Sequence, residues 1–85
     1  LEEKSMTKKD YIAIGRVLRD ETDTTRYIEK TELKEAESPE RINMLKEVIA
    51  ERNRTVKRIT RELIHIFQKD NISFNPSKFN DFINE

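Results

Sequence analysis

Residues 38–70 read SPERINMLKEVIAERNRTVKRITRELIHIFQKD, and this stretch decides the fold. Ser38 offers a side-chain oxygen to a free amide of a first helical turn. Pro39, at the first helical position, gives up no hydrogen bond that a helix would have made. Glu40 puts negative charge at the positive end of the helix dipole. Ile42, Leu45, Ile49, Val56, Ile59, Leu63 and Ile66 then recur at steps of three and four, with Arg52 filling the one slot that lacks an apolar residue. That is a heptad-like seam. Val48, Ile64 and Phe67 widen it beyond what a two-stranded zipper needs.

No glycine or proline interrupts Glu40 to Asp70. At about 1.5 Å per residue, a helix over about 39–70 is roughly 45 Å long. A compact chain of this size is not much wider than that. The helix therefore predicts a rod running the length of the molecule, with part of its seam left for a second chain. The competing reading is a hairpin broken at Glu51-Arg52-Asn53-Arg54-Thr55, where no residue is strongly apolar. Against it, that segment has no turn-forming glycine or proline.

Upstream, Met6-Thr7-Lys8-Lys9-Asp10-Tyr11 reads as a helix start. Thr7 and Asp10 have capping-box spacing, and Met6 and Tyr11 occupy the staple positions around them. Ile12, Ile14, Val17 and Leu18 continue this helix to about Asp20. Gly15, the only glycine, lies inside it and predicts close approach of a neighbouring helix, since glycine there costs about 1 kcal/mol against alanine. Asp20 to Thr25 is polar and rich in capping residues, which predicts a loop. Arg26 to Glu37 carries only a weak stripe (Tyr27, Ile28, Leu33, Ala36) and reads either as a less stable helix or as an exposed arm that orders on a partner. Downstream, Asn75 and Pro76 start a short last helix at about 76–83, with Phe74 and Phe79 as its staple. Phe79, Phe82 and Ile83 form one face, expected to close over the end of the long helix near Ile64 and Phe67.

Eighty-five residues make one domain, of which 34% are apolar and 40% charged. A large core is not available. Without cysteine there is no disulfide staple or thiolate metal cluster. Oligomerisation or regular helix packing is expected to supply stability instead. Net charge is zero, but residues 1–40 hold eleven acids against eight bases, and residues 41–85 six against nine. That mild offset could support antiparallel self-pairing or intramolecular packing, and does not by itself suggest DNA binding. No apolar run approaches a membrane span and no secretory signal is visible, so a soluble chain of the cytoplasm is expected. Leu1 to Ser5 precede Met6 and are read as a non-native or disordered lead, with residues 6–85 as a single helical domain.

Arg52, Arg54, Lys57, Arg58 and Arg61 place five cations in ten residues with no acid among them. Arg54, Arg58 and Arg61 share a helix face with Lys57 beside it, which would suit phosphate contact. The other reading is a solvated face balanced by Glu47, Glu51 and Glu62 or by acids of residues 20–40. No aromatic residue interleaves the cations, so base stacking has no support. Glu62 and His65 match the Glu-x-x-His spacing of carboxylate-bridged di-iron bundles. One such pair does not make a site, and no metal or cofactor is expected. Nor is catalysis: there is one histidine, no cysteine, no glycine-bearing serine elbow and no phosphate-cradling glycine loop.

Met-Thr-Lys-Lys-Asp-Tyr-Ile-Ala-Ile at 6–14 and Asp-Asn-Ile-Ser-Phe-Asn-Pro-Ser-Lys-Phe at 70–79 resemble the ends of small bacteriophage and prophage proteins. Those begin with a Lys-Lys-x-aromatic helix and finish with an Asn-Pro-x-Phe-Asp-x-x-x-Phe tail. Here Asn-Ile-Ser-Phe stands for Asn-Pro-x-Phe, Asn75 stands for the aspartate, and Phe79 is the second aromatic. The resemblance covers about twenty residues. It implies a viral origin, hence residence in a host cytoplasm, and carries over no activity or site residue.

The expectation is an all-α protein of three to four helices. Its seam (Leu45, Ile49, Val56, Ile59, Leu63, Ile66) carries folding or assembly, with a homodimer favoured. Functionally, a non-enzymatic phage-type protein is expected, one that binds a viral or host macromolecule, with inhibition of a host function as one outcome. The alternative is a nucleic-acid-binding module using Arg54, Lys57, Arg58 and Arg61.

Overall fold

The computed structural model describes residues 6–85. The expected lead, Leu1 to Ser5, lies outside the described residues. The chain is all-α, with no strand among the described residues. Helix α1 spans Lys8–Tyr27 and runs on through a π-helical turn, Ile28–Glu32, into a last short helix α2, Leu33–Glu35. Helix α3 spans Pro39–Asp70 without a break and α4 spans Pro76–Asn84. The hairpin reading of residues 51–55 is excluded.

Each start is set by a local cap. Thr7 N–H donates to the Asp10 carboxylate at 2.9 Å. Ser38, extended as a residue before proline must be, accepts from Arg41 N–H at 3.2 Å through its hydroxyl. Asn75 Oδ1 accepts from Lys78 N–H at 3.1 Å. Asn71 ends α3 and folds its side chain onto Ser73 N–H at 2.9 Å, turning the chain toward α4.

One expectation upstream is corrected: Asp20 to Thr25 is helix, not loop. Of the two readings of Arg26 to Glu37 the helical one holds, since residues 26–35 continue the first helix. The polar residues that read as caps bond backwards instead. Thr22, Thr24 and Thr25 each donate a hydroxyl hydrogen bond to the carbonyl four residues earlier, at 2.9–3.0 Å, which is compatible with an unbroken helix. The helix is irregular at the π-helical turn, where Leu33 N–H reaches the Ile28 carbonyl five residues back.

The molecule is a long antiparallel hairpin of α1 and α3, with α4 packed mainly on α1 at one end. It measures 58 × 23 × 17 Å, with a radius of gyration of 16.4 Å. A compact chain of this length has about 12 Å. The core sits at the three-helix end, where Leu18, Phe67, Phe79 and Ile83 are buried. Tyr11, Phe67, Phe74 and Phe79 pack edge to face, with Tyr11 and Phe74 tilted, at centroid separations of 4.9–5.7 Å. Phe74 and Phe79 are thus the staple that their spacing predicts. Gly15 faces this packing: a Cβ there would lie 2.9 Å from Phe82 Cδ2 and 3.3 Å from Phe79 Cε1. Arg26 closes α4 by donating to the Asn84 carbonyl at 2.6 Å and the Glu85 carbonyl at 2.9 Å. At the other end α3 meets only the π-helical turn and α2, and its buried apolar residues there are Leu45 and Ile49.

Candidate interaction surface

The seam residues do not share one environment. Leu45 and Ile49 are buried, Val56, Ile59 and Leu63 are half-buried, and Ile66 is 57% exposed. Ile66 is therefore corrected out of the core, and Phe67, 2% exposed, takes its place. The reason is helical drift. On a straight helix a seven-residue repeat falls behind by ~20° each time. Along Leu45, Arg52, Ile59, Ile66 that lag accumulates until the last member has turned to the flank.

The drift leaves a second apolar strip on one side of α3: Met44, Val48, Thr55, Ile59 and Ile66, at steps of four and seven. Met44 and Val48 are exposed like Ile66. Facing the middle of this strip is Val17 of α1, 63% exposed. Between the two helices runs a groove of about 470 Å³, lined by Ile14, Val17, Leu18, Thr55, Val56, Ile59 and Leu63, with Glu21, Glu51 and Arg52 also on its wall. Helix α4 covers the opposite side of α1, through Gly15, and leaves this flank open. Sequence reasoning put Val17 inside the first helix and gave Met44 no part. The four-and-seven spacing was the signal that could have marked the second strip.

A second groove of about 470 Å³ follows the outer rim of the aromatic cluster, among Met6, Lys8, Tyr11, Phe74, Lys78 and Phe82. No sequence motif pointed to it. Ile72, 98% exposed, stands in the turn beyond α3.

Arg54, Lys57, Arg58 and Arg61 are all exposed along the outward face of α3. Arg54 binds Glu51 one turn back at 2.5 Å. Among the described residues, Lys57, Arg58 and Arg61 form no ion pair. Arg52 is different: it turns inward across the hairpin and leaves this face. Glu62 and His65 are exposed on α3, and no cluster of three or more His, Cys, Asp or Glu that could hold a metal forms among the described residues. No helix among those residues is long and apolar enough to cross a membrane.

Comparison with protein-family models, with curated proteins and with solved structures finds no match to this chain.

Proposed function

We propose that this chain is a non-enzymatic, phage-type interaction protein that docks a viral or host protein on the open α1–α3 flank. The observation that carries the reading is the apolar strip itself. Val17, Met44, Val48 and Ile66 stay exposed in a chain too poor in apolar residues to leave them out without consequence. The elongated shape agrees with it, since a rod presents more flank than a compact bundle. The viral part rests on the resemblance at the two ends.

A photo-crosslinking residue placed at Ile66, in bacterial cells, tests the docking. A discrete adduct at Ile66, with none at the exposed control position Arg16, is expected. Absence of any adduct at Ile66 overturns the reading.

A second reading has its own observation: Lys57, Arg58 and Arg61 are exposed and form no ion pair among the described residues. They would suit nucleic-acid phosphates. Such binding weakens steeply as salt rises, and reversing Arg54 and Arg58 to glutamate abolishes it. Unchanged nucleic-acid binding after that reversal removes this reading.

A further inference from the structure

We infer that the occupant of the open flank is a second copy of this chain, laid antiparallel across α3 about a two-fold axis that crosses the helix between Arg54 and Thr55. This rests on the reading of the flank as a docking surface.

The charges of α3 carry the inference. Its outward rim is acidic before the axis, at Glu40, Glu47 and Glu51, and basic after it, at Arg58, Arg61 and Lys69, with Arg54 beside the axis itself. A two-fold antiparallel contact brings together residues equally far from the axis, one from each copy. Glu51 and Arg58 stand three and a half positions either side of it. Glu40 and Lys69 stand fourteen and a half either side, and Glu47 and Arg61 agree to within one residue. Each pair forms twice, so six opposite-charge contacts line the rim. Arg54 nearly meets its own copy at the axis, where its Glu51 carboxylate, at 2.5 Å, offsets the repulsion. Glu62 is the exception: it lies in the basic half and faces Glu47 and Val48 of the other copy.

The apolar strip obeys the same symmetry. Met44 stands ten and a half positions before the axis and Ile66 eleven and a half after it, so each Met44 comes to within one residue of the level of the Ile66 of the other copy. Both are half or more exposed in the single chain. Val48 of one copy arrives opposite Arg61 and Glu62 of the other, within one turn of Ile59. The arrangement also corrects the uneven thickness of the hairpin. The two-helix end of each copy, with only Leu45 and Ile49 buried on α3, is covered by the open side of the other's three-helix end.

Sedimentation equilibrium on the full chain tests this with two variants, Glu51→Arg and Arg58→Glu. The wild type is expected to be a dimer in a concentration-dependent equilibrium. Each variant creates two like-charge contacts and should dissociate about tenfold or more readily. An equimolar mixture should recover the dimer, because every Glu–Arg contact in the mixed pair is again between opposite charges. Helicity by circular dichroism should match wild type. If either variant loses it, Glu40→Lys and Lys69→Glu, mixed in the same way, replace the pair. A wild type that stays monomeric, reversals that leave the dimer intact, or a mixture that stays dissociated each overturn the inference. An Ile66 adduct to a different protein beside a monomeric wild type keeps the docking surface and removes the self-pairing alone.

Discussion

Arg52 of α3 reaches Glu21 of α1, with its guanidinium 2.6 Å from the carboxylate and its Nε donating to Thr25 Oγ1 at 2.9 Å. The same guanidinium donates to the Glu21 carbonyl at 3.3 Å. One side chain thus fixes the sliding register of the two long helices at mid-length, between the aromatic core and the thin end. It does so from the one seam position that lacks an apolar residue, and it ties down the polar segment of α1 that local sequence would leave as a loop.

Arg52→Ala should lower stability by about 1–2 kcal/mol. The ion pair itself contributes little because Glu21 is more than half exposed, and the hydrogen bonds supply the rest. Arg52→Lys should recover less than half, because an ammonium cannot span the same acceptors in a planar fork. Urea denaturation reads both, and wild-type midpoints for both variants would refute the register role.

Gly15→Leu should cost about 1–3 kcal/mol through overpacking against Phe79 and Phe82. Gly15→Ala should come out near neutral. Its gain of about 1 kcal/mol in helix propensity is set against a Cβ too close to Phe82. The half-buried Phe82 ring can give way, while the buried Phe79 ring cannot. Thermal melts of the two variants, compared with each other, separate propensity from packing.

Thr60 is buried, and its hydroxyl has no hydrogen-bond partner among the described residues. Thr60→Val keeps the branched shape and removes an unsatisfied group, so it should raise stability by about 1 kcal/mol. A higher denaturation midpoint at unchanged slope is the expected result, and a lower midpoint counts against this placement of Thr60.

Neighbours Ile66 and Phe67 should behave oppositely. Phe67→Ala removes a ring packed on three others and should cost about 3–5 kcal/mol, enough to unfold much of a domain this small. Ile66→Ala should change the stability of the dissociated chain by only about 0.5 kcal/mol, while weakening association. Denaturation at low and high protein concentration distinguishes the two, because only an association effect depends on concentration.

Much of the architecture is legible locally. Ser38-Pro39, Asn75-Pro76 and Thr7 with Asp10 mark helix starts because a cap acts within one turn of chain. The uninterrupted run from Glu40 to Asp70 predicts the central rod for the same reason. Gly15 predicts a close neighbour, although only the structure shows it to be Phe82. The polar run Asp20-Glu21-Thr22-Asp23-Thr24-Thr25 misleads, because a threonine hydroxyl can serve a cap or bond back into a helix, and the residues alone do not distinguish these.

The sequence by itself therefore determined the helical class, the span of the long helix and the existence of a short C-terminal helix. Those are set by contacts a few residues apart. Tertiary structure decided which members of a broad apolar stripe face inward, Phe67 rather than Ile66, and that residues 20–35 stay helical. It also decided which flank is left open. These follow from how two rods some thirty residues apart in the chain lie against each other, and a periodicity that drifts over about six turns cannot fix that angle.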